Sequence, residues 1–145
     1  MWAMSRKPPM LFLAALAPLA CQAPSPQPLA IPLQCESAEC PLLTGAPRTA
    51  GMRSGLVRLD PGQSVGWHST RRNEESLVIL RGEGTALLDG HPARTFAAPH
   101  FLYIPPGTRH NVENTGHDLL EYVYVVAPAA AKQADTLLFP QTNSL

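Results

Sequence analysis

Two stretches of sequence decide the fold of this chain. The first, from Gly62 to Gly82, reads GQSVGWHSTRRNEESLVILRG, and the second, from Tyr103 to Asn114, reads YIPPGTRHNVEN. Together they place two histidines and a carboxylate on short extended runs that are separated by turn residues. Two imidazoles and one carboxylate form a donor set suited to a divalent first-row metal. If closure of a sheet brings the two stretches together, the three side chains can share one ion.

The rest of the central chain has the pattern of an all-β domain. Strands are predicted over residues 56–59, 64–69, 75–80, 85–88, 100–104, 109–113 and 119–126. Asp89-Gly90 predicts a hairpin, because this dipeptide suits the tight turns that join antiparallel strands. Since the runs are short and regularly spaced and no segment has a convincing helical pattern, the sequence indicates a sandwich or a barrel.

The first stretch resembles the first motif of the cupin superfamily, G-x5-H-x-H-x(3,4)-E-x6-G. The matching positions are Gly62, His68, Glu75 and Gly82. Thr70 stands where the family has its second histidine, so the resemblance is incomplete at one ligand position.

The second stretch resembles the second cupin motif, P-x-G-x2-H-x3-N. The matching positions are Pro105, Gly107, His110 and Asn114, and Pro99 stands where a glycine usually opens this motif.

The cupin resemblance covers roughly residues 52–126, about half of the chain. It implies a small antiparallel β-barrel, the double-stranded β-helix of the jelly-roll type. It also implies that His68, Glu75 and His110 are the ligands of one divalent transition metal, such as iron, manganese, zinc or nickel.

Two residues beside the implied metal site need separate consideration. On a strand, His68 and Thr70 point to the same face, so Thr70 is expected in the cavity. A neutral hydroxyl is a poor ligand for a divalent ion, but it can hydrogen-bond to a metal-bound water or a substrate. Glu74 is a rival carboxylate; the spacing to Gly82 favours Glu75, and strand alternation aims Glu74 away.

Residues 1–21 have the pattern of an export signal. Two basic residues precede an apolar run over residues 10–17, which is shorter than the roughly 20 residues of a transmembrane helix. Residues 18–21, PLAC, resemble a bacterial lipobox, in which the cysteine is lipidated and becomes the mature N-terminus. We therefore expect an exported bacterial protein, either a lipoprotein anchored through Cys21 or a soluble periplasmic form.

The chain is expected to have four segments: the signal (1–21), a proline-rich tether and cysteine-containing lead-in (22–51), the barrel (52–128) and a tail (129–145). If Cys21 carries lipid, Cys35 and Cys40 remain as an even pair, which an oxidising compartment converts to a disulfide. A metal-binding pair is the alternative, but no further cysteine or nearby histidine completes a tetrahedral set.

Charge and composition narrow the range of partners. The formal net charge is zero and charged residues make up 15% of the chain, so no global field points to nucleic acid or an anionic surface. We expect a small-molecule ligand, contact with a membrane only through the lipid anchor, and either a monomer or a homodimer. Four aromatic residues can line a pocket, close a dimer or, as is usual in strands, pack the sheets: Trp67, Tyr103, Tyr122 and Tyr124.

Two functions remain open at this point. The first is metal-dependent oxygenase, isomerase or lyase chemistry on a small molecule outside the cytoplasm. The second is non-catalytic ligand binding, or an accessory role, with a degenerate metal site. The fold does not choose between them, because one fold hosts many functions. Thr70 is the discriminating residue, since a full ligand set favours an enzyme and its loss favours a binding protein.

Overall fold

A computed structural model of the protein describes residues 25–129, and every regular element within this range is a β-strand. The strands are β1 (Glu39–Thr44), β2 (Arg53–Leu59), β3 (Asn73–Arg81), β4 (Glu83–Leu88), β5 (Arg94–Ala97), β6 (His100–Ile104), β7 (His110–Glu113) and β8 (Leu120–Pro128). The predicted all-β fold is confirmed. The described part of the chain holds no helix with the length and apolar character to span a membrane. The predicted export signal with Cys21, and all but the first residue of the predicted tail, lie outside the described residues.

The strands form two antiparallel sheets that face each other. The first sheet has the order β1-β2-β8-β3-β6, and the second has the order β5-β4-β7. The hairpin predicted at Asp89-Gly90 joins β4 to β5, as their antiparallel pairing shows. Side chains from both sheets fill the interior, including Leu77, Ile104 and Val112, each 1% exposed or less. Burial of these apolar residues is the main favourable contribution to folding.

The prediction of a strand over residues 64–69 is wrong, because these residues do not form a continuous strand. This segment runs antiparallel to β7 but makes only isolated bridges, at Ser64 with Glu113 and at His68 with His110. Gly66 interrupts the extended backbone with a φ of +82°, a conformation that only glycine adopts freely. The segment therefore lies along β7 like an irregular fourth strand of the small sheet. Its side chains do not alternate strictly between the two faces.

Strand β1 adds a structured edge to the barrel from within the segment assigned to the lead-in. It pairs with β2, with a register shift between Pro41 and Leu43. An edge strand tolerates proline, because one side of its backbone needs no partner in the sheet. The predicted disulfide between Cys35 and Cys40 is present in the structure at the start of this strand.

Two of the motif residues serve the fold rather than the site. Gly82 joins β3 to β4 with a φ of +79°, and a Cβ there would lie 2.5 Å from the carbonyl oxygen of Leu119. Asn114 is buried and donates from Nδ2 to the carbonyl oxygens of Leu59 and Asp118, at 2.8 Å each. These contacts fix the corner that follows β7, and so they help to hold His110 in place.

Candidate metal centre

The two motif histidines are direct partners across the small sheet. The amide of His68 donates to the carbonyl of His110 at 2.9 Å, and the reverse hydrogen bond measures 2.8 Å. The two imidazole centroids lie 4.3 Å apart. Residues 42 positions apart in sequence are thus held side by side by the backbone.

The carboxylate reaches the histidines from the opposite sheet. Glu75 lies on β3, and its Oε2 is 3.2 Å from Nε2 of His110. One ligand atom from each of His68, Glu75 and His110 can be chosen so that all three lie within 4.8 Å of one another. Since bonds from zinc to nitrogen or oxygen measure about 2.0–2.2 Å, small movements of the side chains would bring all three atoms onto one ion. The structure therefore brings together the three residues that the cupin resemblance implied.

Both imidazole rings are oriented by backbone carbonyl oxygens. Nδ1 of His68 lies 2.9 Å from the carbonyl oxygen of Gly66, and Nδ1 of His110 lies 3.0 Å from that of Thr108. A carbonyl only accepts hydrogen bonds, so each neutral ring carries its proton on Nδ1. Nε2 then presents a lone pair, which is the arrangement that outer-shell hydrogen bonds impose on metal-binding histidines.

Two of the three ligand atoms of this cluster are buried and have no hydrogen-bond partner among the described residues. Glu75 and His110 are 5% and 1% exposed. Oε2 of Glu75 and Nε2 of His110 lie 3.2 Å apart, but with the His110 proton on Nδ1 both atoms are acceptors and neither satisfies the other. No other described residue satisfies either atom. Buried polar atoms are nearly always paired, so an unpaired acceptor beside an unpaired carboxylate oxygen fits a cation.

The charge of Glu75 also affects the protonation of His110. Burial lowers the pKa of this imidazole, while the Glu75 carboxylate and the Thr108 carbonyl raise it, and the pKa ends above its ordinary value of 6.5. The site thus favours a positive charge at the point where the three side chains meet, as a proton or as a metal ion.

Thr70 and Glu74, the two residues considered beside the implied metal ligands, have different surroundings. Thr70 lines the same cavity as His68, but Ser69 does so too, because the segment is not a regular strand. The Thr70 hydroxyl donates to the carbonyl of Asn73 at 3.0 Å. Glu74 is not part of the cluster and accepts a hydrogen bond from Tyr103 at 3.2 Å.

The three side chains lie in the wall of a cavity of about 530 Å³. This volume is within the range of small-molecule sites, roughly 300–1,000 Å³. Apolar residues such as Val57, Val112 and Val126 form much of the lining. The cavity can therefore hold a small molecule beside the metal cluster.

Four further polar side chains line the cavity. Tyr122 and Tyr124, on β8, are two of the four aromatic residues that the sequence offered for a pocket, whereas Glu39 on β1 and Arg53 on β2 could not be identified from the sequence. Tyr124 donates to Glu39 at 2.8 Å, and burial together with this carboxylate raises the pKa of Tyr124 to about 12. Burial also raises the pKa of Tyr122, with a smaller contribution from the charge of Glu75. Both phenols therefore stay protonated at neutral pH.

The remaining aromatic candidates lie outside the cavity lining. Trp67 is 44% exposed, and the guanidinium carbon of Arg109 lies 5.1 Å from the centroid of its ring. Tyr103 is 50% exposed on β6, the edge strand of the large sheet.

Fold and site together define a cupin barrel with a histidine–glutamate–histidine cluster. Residues 55–126 match the family described as Cupin_2, the cupin domain. A Cupin 2 conserved barrel domain protein from Salinispora arenicola has a similar structure, with a TM-score of 0.55 and 26% identity, over 75% of this chain and 92% of that one. The chain belongs to the cupin superfamily.

Two curated proteins are similar to this chain over part of their length. The oxalate-binding protein of Thermotoga maritima is 34% identical, over 48% of this chain and 57% of that protein. The tetracenomycin polyketide synthase protein TcmJ of Streptomyces glaucescens is 27% identical, over 59% of each. The chain thus spans less than two thirds of the length of either relative.

Proposed function

We propose that the protein binds one divalent transition metal through His68, Glu75 and His110 and holds a small oxygen-donor molecule on that metal. The single observation that carries this proposal is the convergence of three donor atoms, two of which are buried and unsatisfied. Two imidazoles and one carboxylate leave coordination positions open for a ligand.

A bound metal would supply Lewis acidity and would neutralise an acidic ligand. The chain itself performs the other tasks. The carbonyls of Gly66 and Thr108 hold the imidazoles in the tautomer that ligates. Glu75 and His110 are buried, which strengthens the electrostatic interactions that they make with a bound ion.

Among the functions left open by the sequence, ligand binding is the one that the site supports best. Thr70 contributes a hydroxyl in place of an imidazole, and the proton of that hydroxyl is already donated to Asn73. The curated relative named as an oxalate-binding protein supports a small acid as the first ligand to test. Metal-dependent turnover of such an acid is the second candidate, supported by the open coordination positions.

Three variants test the metal site directly. We expect His110→Ala to weaken zinc and manganese binding by more than about 100-fold, since loss of an outer-shell partner alone costs about 10–100-fold. Thr70→His should tighten binding about tenfold or more by adding a ligand at the family's usual position. His91→Ala is the matched control, because His91 lies in an exposed turn outside the cavity. It should leave the affinities for zinc and manganese unchanged.

The measurement is a competition titration with zinc and manganese on untagged protein, at a pH where the imidazoles are neutral. Equal affinities for wild type and His110→Ala would contradict the proposed ligand set. If the wild type takes up no metal and Thr70→His gains none, the site is vestigial.

We further propose that this binding takes place outside the cytoplasm, in the periplasm or on a membrane face. The pattern of residues 1–21 and the disulfide between Cys35 and Cys40 support this proposal, because disulfides persist in oxidising compartments. Mass spectrometry of the mature N-terminus tests it. An unmodified terminus at a residue other than Cys21 would exclude the lipoprotein form.

A further inference from the structure

Arg53 and Glu75, one of the three residues of the metal cluster, belong to the same row of paired residues that runs across the strands of the large sheet. Arg53 on β2 is paired with Val126 on β8, and Val126 is paired with Glu75 on β3. Side chains paired across adjacent strands project from the same face, and Arg53, Val126 and Glu75 all line the cavity. Strands are about 4.8 Å apart, so the Cα atoms of Arg53 and Glu75 are about 10 Å apart.

The side chain of Arg53 forms no hydrogen bond or ion pair with the described residues, although its backbone pairs with β1 and β8. The ion pairs between described residues are those of Arg58 with Glu121 and of His110 with Glu75. Glu39, the other acid in the cavity lining, accepts the hydrogen bond of Tyr124 and forms no ion pair with Arg53.

Arg53 is exposed at the start of β2, and the stem of its side chain passes beside Gly45. Of the described residues that line the cavity, Arg53 alone carries a permanent positive charge.

The cavity therefore has two separate cationic points once the metal is bound. The first is the metal itself, and the second is the Arg53 guanidinium, with the apolar side chain of Val126 between them. Guanidinium pairs well with carboxylates, because its parallel N–H groups match the two oxygens. A two-carbon diacid that chelates the metal with both carboxylates has no second end left for Arg53.

We propose that the ligand of this cavity is a dicarboxylate longer than two carbons, with one carboxylate on the metal and the other paired with Arg53. Arg53 then determines specificity without contributing to metal binding. This inference rests on the proposed metal site and extends it from a small oxygen donor to a defined class of acid.

The test compares diacids with the monoacids of equal length. Manganese-loaded wild type is titrated calorimetrically with oxalate, malonate, succinate, glutarate and adipate, and with acetate, propionate, butyrate, pentanoate and hexanoate, at constant ionic strength. We expect the tightest diacid to be longer than oxalate and to bind at least about tenfold more tightly than its monoacid, as one charge-assisted hydrogen bond allows.

Two substitutions identify the residue responsible. Arg53→Gln should remove the preference for diacids and leave manganese affinity unchanged. Arg94→Gln is the matched control, because Arg94 is also an exposed strand arginine but lies outside the cavity lining. It should retain the full preference.

The possible outcomes separate this inference from the function on which it rests. A wild type that takes up no manganese refutes the proposed metal site and this inference together. A metal-loaded wild type that prefers oxalate, or that binds monoacids as tightly as diacids, refutes the inference alone. So does a diacid preference that survives Arg53→Gln.

Discussion

Replacement of Glu75 by glutamine should change stability in opposite directions with and without metal. In the metal-free protein at a pH where His110 is neutral, Oε2 of Glu75 and the lone pair on Nε2 of His110 face each other at 3.2 Å. Neither atom has another described hydrogen-bond partner. A glutamine amide would donate to that Nε2 and would remove a buried charge. The metal-free variant should therefore be more stable than the wild type.

The size of the two effects follows from burial and from mass action. Satisfying one buried acceptor stabilises by about 1–2 kcal/mol. For a domain of this size, about 1 kcal/mol shifts the melting temperature by roughly 4–8 °C. Metal at 100 times its dissociation constant stabilises the wild type by about 2.7 kcal/mol. If the substitution weakens metal binding about 100-fold, the same metal concentration stabilises Glu75→Gln by only about 0.4 kcal/mol.

Thermal unfolding measured in EDTA and in excess zinc, at a pH above the folded-state pKa of His110, tests this reversal. Glu75→Gln should melt about 4–16 °C above the wild type in EDTA, and it should lose most of the stabilisation by zinc. Glu74→Gln is the matched control, because the neighbouring carboxylate is not part of the cluster and instead accepts a hydrogen bond from Tyr103. A variant that is destabilised in EDTA, or stabilised by zinc as much as the wild type, would refute the reasoning.

Two further predictions concern pH and the corner after β7. Since the folded-state pKa of His110 is raised above 6.5, its contribution to stability is fully present below that value and is lost as pH rises through the folded pKa. Urea unfolding in EDTA should thus show that the metal-free wild type loses stability as the pH rises through this folded-state pKa and that Glu75→Gln loses less. Parallel pH profiles for the two proteins would contradict this. Asn114→Ala should cost about 2–3 kcal/mol by leaving the carbonyls of Leu59 and Asp118 without their donor. A cost below about 0.5 kcal/mol by urea unfolding would show that these hydrogen bonds do not matter.

Most strands could be predicted because local signals agree with the final structure. Apolar runs bounded by proline and glycine became β2, β3, β6 and β8, and Asp89-Gly90 became the turn of a hairpin. Strand β1 had no such signal, because it contains Pro41 and follows a proline-rich stretch. It exists through pairing with β2, which is a tertiary interaction.

The metal cluster could be predicted only through the spacing of the two motifs. His68 lies on an irregular segment, and its position depends on pairing with His110 and not on strand alternation. Arg53 could not be assigned, because it shares a row with Glu75 only through the insertion of β8 between β2 and β3. Local patterns carry no information on such cross-strand rows.

The most direct test of the metal site is anomalous diffraction from crystals of the untagged protein grown with zinc. Data collected on both sides of the zinc absorption edge locate the ion without reference to a ligand or an activity. We expect a single strong peak bonded to Nε2 of His68, Nε2 of His110 and the carboxylate of Glu75. No peak at this cluster, or a zinc ion held only by other residues, would contradict the central claim.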